Sequence, residues 1–321
     1  MKLILKALVL ILPATFLHAQ AVTEKTKPSK ANDQAYEAKD PKPAHSEVSY
    51  GPHARNVLDF WQAKSSKPTP LVLVIHGGGW TGGSKERVSR FADVQALLDA
   101  GISVAANNYR LMEHAKDVVP PVKAPMQDSA RALQFLRSKA KEWNIDSTRI
   151  AAAGGSAGAC TSLWLAYHDD MADPKNEDPI ARQSTRLLFA AVIGAQTTLD
   201  PKQMKEWMPN SKYGGHAFGK KDFAQFLADR ESMMPWIDEY SPYALASKDD
   251  PAVTIFYGAP PAMGKDQKDP THSANFGIGL QQRCKELGIE CDVIYPEKTN
   301  TRQETPTEYL IKMLSQQPNQ P

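Results

Sequence analysis

The run Gly154-Gly155-Ser156-Ala157-Gly158 places one hydroxyl among small residues at every neighbouring position. A sharp strand-to-helix turn needs such neighbours to avoid steric clash, and it leaves the serine oxygen projecting as a candidate nucleophile for acyl transfer. A second run, His76-Gly77-Gly78-Gly79-Trp80, directly follows the apolar stretch 71–75. Successive glycines there let backbone N–H groups point into a cavity. In acyl transfer, negative charge develops on the former carbonyl oxygen, and losing one preorganised donor costs roughly 3 kcal/mol of barrier. Gly78 and Gly79 are the expected oxyanion donors, completed by the amide of Ala157, with His76, Gly77 and Trp80 supporting the loop. The same glycine-rich turn could cradle phosphate, but it lacks both the lysine of a P-loop and the spacing of a dinucleotide site.

These residues need a scaffold that presents both turns at one edge. After residue 66, apolar runs at 71–75, 103–107, 149–153, 187–194, 252–257 and 290–295 alternate with helical spacing at 87–100, 128–143, 157–168, 273–287 and 307–316. The runs are continuous rather than alternating, as expected for parallel strands covered by helices on both faces. Val48-Ser49-Tyr50 and Val57-Leu58-Asp59-Phe60-Trp61 read as an antiparallel hairpin ahead of them. The segment 201–245 interrupts the alternation and carries Trp207, Tyr213, Phe218, Phe223, Phe226 and Trp236, so it reads as an inserted cap. Its aromatics either pack the insertion onto the body or line a pocket.

Together the two glycine-rich motifs resemble the esterase and lipase branch of the α/β-hydrolase family, near its hormone-sensitive-lipase-like and carbohydrate-esterase-like members. The resemblance spans residues 50–314 and extends to Asn108-Tyr109-Arg110-Leu111, to Pro125 with Asp128 opening a helix, and to residues 146–150 leading into the nucleophile strand. It implies an α/β fold with a mostly parallel eight-stranded sheet and a triad in the chain order serine, acid, histidine. It further implies an acid after strand 252–257 and a histidine after strand 290–295. The second position is unfilled: the loop reads Pro296-Glu297-Lys298-Thr299-Asn300-Thr301-Arg302-Gln303, and no histidine follows His272.

A serine hydroxyl is a weak nucleophile without a base. His45 lies in the polar N-terminal segment, His53 near the hairpin, His76 in the oxyanion loop, and His114 and His216 in a loop and the cap. His168 lies about three helical turns past Ser156, roughly 18 Å at 1.5 Å per residue. His272 is best placed, because loop 258–272 leaves a strand at the edge where ligands gather in open α/β sheets. The same loop supplies Asp266 and Asp269 as alternative acids to orient its ring. Asp269-Pro270-Thr271-His272 also has a plainer reading, an Asp capping the helix near Ser273 with a surface histidine in its first turn. The functional expectation is a serine ester hydrolase, and the resemblance implies small acyl or aryl esters as its substrates. The resemblance extends this to acyl groups on polysaccharides. A homologue that binds such esters without turnover is the rival, and a peptidase of the same fold is weaker.

At 321 residues, 41% hydrophobic and 23% charged, the chain can bury a full-sized core. Lys2 and Lys6, the apolar stretch 7–17 and Ala19-Gln20-Ala21 form a signal-peptide pattern over residues 1–21, and the stretch is shorter than the about 20 residues that span a bilayer. Export to the periplasm or the medium is expected. Cleavage removes Lys2 and Lys6 and no acid, so the 38 Lys and Arg residues fall level with the 36 Asp and Glu residues. No field of one sign then argues for nucleic acid or an anionic membrane as partner. Residues 22–46 are polar and proline-rich and read as a flexible linker, 47–317 as the hydrolase domain, and 318–321 as a disordered tail. Cys160, Cys284 and Cys291 admit one bridge, between the last two, or none. No cluster has metal-ligand spacing; His168-Asp169-Asp170 reads as a helix end, and no cofactor is expected.

Overall fold

The computed structural model describes residues 36–37, 40–296 and 304–316. The expected signal peptide, most of the linker, the loop residues 297–303 and the tail lie outside them. In chain order the main elements are β1 (His45–Ser49), β2 (Val57–Trp61), β3 (Thr69–Ile75), α1 (Val94–Asp99), β4 (Ser103–Asn107), α2 (Lys123–Ser138), β5 (Ile145–Gly155), α3 (Ala157–Tyr167) and β6 (Phe189–Ile193). They continue with α4 (Pro201–Trp207), α5 (Phe223–Ala228), α6 (Met234–Tyr240), α7 (Pro242–Leu245), β7 (Val253–Phe256), α8 (Ala274–Leu287), β8 (Cys291–Ile294) and α9 (Pro306–Ser315). The strands form one eight-stranded sheet in the order β1-β2-β4-β3-β5-β6-β7-β8. β1 and β2 pair antiparallel, as does β2 with β4, and the remaining pairs are parallel. This is the helix-flanked, mostly parallel sheet expected from the alternation of strand and helix patterns, with the eight strands that the α/β-hydrolase resemblance implies.

Strand β3 shows why blunt apolar runs became central strands. All seven of its residues are buried. Side chains alternate across the sheet, so Leu71, Leu73 and Ile75 enter one core while Val72 and Val74 enter the other. Burying each such side chain is worth roughly 1.5–3 kcal/mol, and both faces need a helical cover to collect it. Helices α2, α3 and α8 supply residues to the first core; α1 and α9 supply the second. The parallel strands β3, β5, β6 and β7 all release their chains at the same sheet edge, into His76, Ser156, Gly194 and Tyr257 respectively.

Three expectations are corrected. The helix expected over 87–100 is split into a 3-10 turn, Lys85–Arg90, and α1, because the Asp93 side chain accepts from Ala96 N and starts a new helix. Asp128 lies in the second turn of α2 rather than opening it. Its carboxylate accepts from Arg110 (2.7 Å) and Asn56 (2.8 Å), clamping the loop after β4 to the hairpin. The described end of the expected linker is docked: Trp61 Nε1 donates to Pro41 O (2.7 Å), Ala44 N to Phe60 O (2.8 Å), and the Tyr36 hydroxyl to Asp59. The three cysteines are buried free thiols.

Candidate active site

Ser156 occupies the turn between β5 and α3 with φ 54° and ψ −121°, a conformation that non-glycine residues rarely adopt. The close neighbours explain the small residues around it. A Cβ on Gly158 would overlap the carbonyl oxygens of Ile75 and His76, so α3 can lie against the end of β3 only with glycine there. The turn is pinned by Ser156 N donating to Ile193 O (3.0 Å) across to β6.

His272 Nε2 lies 3.0 Å from Ser156 Oγ, and His272 Nδ1 lies 2.8 Å from Asp269 Oδ2. The other Asp269 oxygen accepts from the amides of Thr271 (3.1 Å) and His272 (3.2 Å). Partial burial opposes ionisation of Asp269, but the bonds from the His272 ring and these amides hold its carboxyl below the ordinary range. Asp269 therefore shapes the turn and orients the ring at once. The plainer reading of it as the α8 cap is corrected: Ser273 fills that position, accepting from Asn275 N (3.1 Å). Asp266 is not brought to the ring; its carbonyl accepts from Gln267 Nε2 (3.3 Å), and His272 pairs with Asp269 alone among the described residues.

Sheet order explains why this loop reaches the serine. β7 is two strands from β5 and β8 is three. At about 4.8 Å per strand, a loop leaving β7 starts about 5 Å nearer Ser156 than one leaving β8. The position after β8 where the resemblance implies a histidine lies outside the described residues and holds none in the sequence, whereas the β7 loop carries both ring and carboxylate.

Two positioning residues gave no sequence signal. Gly194, at φ 60°, ends β6 with the His272 ring against it: a Cβ there would sit 3.4 Å from His272 Cβ and Cδ2. Buried Gln196 donates Nε2 to Thr271 O (2.6 Å), holding the residue before His272. A glycine and a glutamine just past a strand match no motif.

The glycine-rich loop after β3 is held on several sides. Gly78, Gly79 and Trp80 all have positive φ. Trp80 Nε1 donates to Thr161 Oγ1 (3.0 Å), which itself donates to Ala157 O (2.9 Å), joining this loop to the first turn of α3. Tyr109 OH donates to His76 O (2.8 Å) and its ring stacks on the His76 imidazole at 4.1 Å. Among the described residues neither Gly78 nor Gly79 donates its amide to a backbone carbonyl, and Ala157 is the first residue of α3, whose N–H has no intrahelical acceptor. His76 is buried, with Nδ1 2.8 Å from Gly77 O and no partner at Nε2. Burial holds its imidazole at about 3 despite the bond to Gly77, so it stays neutral. From the cap, His216 Nε2 reaches Gly79 O (3.2 Å), a link that sequence spacing did not indicate.

A cavity of about 400 Å³ opens beside Ser156 and His272, lined by Gly77, Gly78, Arg87, Arg90, Phe91 and Ile193, among others. The cap aromatics do not line it. Phe218 packs on Phe226 (5.8 Å) and Trp236 (5.9 Å), and Trp207 on Phe276 (6.2 Å), so they fasten the insertion to itself and to α8.

The BD-FAE family profile matches residues 58–267, which include Ser156 and the oxyanion loop. An esterase of Gibberella moniliformis is 23% identical over 267 residues, 78% of this chain and 72% of that protein. Carboxylesterase NlhH of Mycobacterium tuberculosis is 34% identical over 108 residues, so the chain spans only 32% of that relative's length. Among solved structures, the acetyl ester-xyloside bifunctional hydrolase from Caldicellulosiruptor lactoaceticus superposes with a TM-score of 0.60 at 20% identity, covering 83% of this chain and 89% of that one. With a matched profile over most of the fold, the chain belongs to the BD-FAE family of α/β-hydrolases.

Proposed function

We propose that the chain is an exported serine hydrolase that cleaves carboxylic esters. The observation carrying this reading is the continuous array Ser156–His272–Asp269, at 3.0 Å and 2.8 Å, on a turn whose conformation projects the serine. In the proposed reaction His272 Nε2 takes the hydroxyl proton as Ser156 Oγ attacks the carbonyl, and Asp269 stabilises the resulting imidazolium. The oxyanion meets the amides of Gly78, Gly79 and Ala157. Collapse expels the alcohol, which receives the proton from His272. Water then repeats the sequence on the acyl-enzyme and frees Ser156.

Small acyl or aryl esters, including acyl groups on polysaccharides, are the proposed substrates. The cavity size, the esterase among the relatives and the acetyl ester hydrolase among the fold neighbours support that class. Export rests on the charged start, apolar stretch and small-residue site of residues 1–21. The rival reading, binding without turnover, drew on the missing histidine after β8; the nearness of His272 to Ser156 takes away that ground.

Hydrolysis of 4-nitrophenyl acetate by the chain lacking residues 1–21 tests the proposal. Ser156→Ala and His272→Ala should both reduce it to background, and a fluorophosphonate should label Ser156 in the parent protein. Equal rates in all three proteins would overturn the reading.

A further inference from the structure

We propose that cap segment 207–216 is a strap that holds both halves of the proposed catalytic site, with Asn210 and His216 as its positioning residues; this rests on the esterase reading above. The two halves leave the sheet at different places. β3 flanks β5 on one side and releases the glycine-rich loop, while β7 lies two strands away on the other side and releases the loop bearing Asp269 and His272. Three strand spacings, about 14 Å, separate them, so strand pairing alone does not fix one loop relative to the other.

At one end the segment grips the β7 loop. Asn210 Nδ2 donates to Gln267 O (2.8 Å) and Asn210 Oδ1 accepts from Gln267 N (3.1 Å), a reciprocal pair. Gln267 extends the hold towards the base: its Oε1 accepts from the hydroxyl of Ser273, the residue after His272 (3.2 Å). Trp207 O accepts from Gly264 N (3.0 Å) and from Asn275 Nδ2 (2.8 Å), joining the segment to the same loop and to the first turn of α8.

At its other end the segment grips the glycine-rich loop. The Gly79 carbonyl can only accept, so His216 donates its Nε2–H to it (3.2 Å). Thr81 Oγ1 donates to Gly78 O (3.1 Å), and the two peptide planes that flank Gly79 are thereby both held. A planar trans peptide points its N–H opposite its carbonyl, so these bonds aim the Gly79 amide. The Tyr213 ring stands edge-on to His216 (4.7 Å) and backs it against the loop, close enough that a Cβ on Gly79 would sit 3.1 Å from the Tyr213 hydroxyl. The six residues from Asn210 to His216 reach at most about 21 Å, which leaves the strap little slack over its span. Misplacing a reacting group by about 1 Å can cost about 100-fold in rate, so both anchors bear on turnover.

Steady-state kinetics on 4-nitrophenyl acetate test this, with active sites counted by fluorophosphonate labelling carried to completion, so that kcat per labelled site ignores any unfolded fraction. His216→Leu and Asn210→Ala should each lower that kcat about tenfold and leave KM within about twofold of the parent. His216→Gln keeps a donor for Gly79 O and should recover to within about threefold. The double variant should lose about 20-fold rather than the product of about 100-fold, because freeing either end slackens the whole segment. Affinity for 1,1,1-trifluoro-4-phenylbutan-2-one, whose hemiketal oxygen needs the oxyanion donors, should fall about tenfold in His216→Leu. Should a truncation fail to fold, His216→Asn and Asn210→Asp stand in its place with the same expected loss in kcat. An unchanged kcat in either single variant, a loss confined to KM, or fully multiplicative losses would overturn the strap and leave the esterase reading intact. Hydrolysis by the parent no faster than by Ser156→Ala would instead remove the esterase reading and the strap together.

Discussion

Asp269 and His272 lie three residues apart in one loop, with carboxylate and imidazole joined at 2.8 Å, so both groups of the proposed acid–base pair sit on a single backbone turn. The turn is braced from outside by Gln196 on Thr271 O and by Gly194 against the ring. The separation of roles within this loop can be measured.

Asp269→Asn should lower kcat by about 10²- to 10⁴-fold with little change in KM, since the amide no longer stabilises the imidazolium or enforces the ring's orientation. Asp266→Asn, made in the same loop, should stay within about twofold of the parent. Steady-state kinetics on 4-nitrophenyl acetate decides it, and the reverse ranking would assign the acid to Asp266.

Replacing Gln196 with leucine removes the donor from Thr271 O and should reduce kcat about tenfold, the equivalent of roughly 1.4 kcal/mol for a lost hydrogen bond. KM for a small acetate ester should move little. A parallel loss in thermal stability with unchanged kcat would mark Gln196 as structural only.

Gly194→Ala places a methyl group against His272 and forces a Cβ into positive φ. The backbone cost alone is about 1–2 kcal/mol. A lower melting temperature together with a reduced kcat is expected; fluorophosphonate labelling should slow by the same factor, because Ser156 is then less well matched to its base.

Acid should destabilise the protein through His76. Its imidazole is held at about 3 in the native state by burial, whereas an unfolded histidine titrates near about 6.5. Between those values the unfolded chain binds a proton that the native state refuses. Stability is therefore full above about pH 6.5 and falls as pH drops, by roughly 1.4 kcal/mol per pH unit for this group. Urea titrations at pH 6.5 and 5 should show a loss about 2 kcal/mol smaller in His76→Gln. An identical loss in both proteins would exclude His76 as the source.

Much of this arrangement was legible in the residues. The blunt runs marked the strands because parallel strands bury both faces, and the glycines around Ser156 and after Ile75 marked the two turns because close backbone approach leaves no room for a Cβ. His272 was legible from the edge at which its loop emerges. The choice between Asp266 and Asp269 was not, since both lie in one loop and only the fold of that loop decides which meets the ring. Gln196 and His216 act through backbone carbonyls of other segments, and Gly194 by leaving room for the His272 ring, relationships with no fixed spacing. Of the two readings open for the cap aromatics, packing of the insertion holds, while part of the cavity wall comes from the 3-10 turn after β3.

The single-loop placement of acid and base also bears on how such a protein can be recombined. Where the histidine follows β8, a crossover between β7 and β8 parts it from its acid. Here the same crossover transmits the tetrapeptide Asp269-Pro270-Thr271-His272 whole. The pair is heritable as one cassette, and a transplant of the β7 loop into a relative would carry orientation and basicity together.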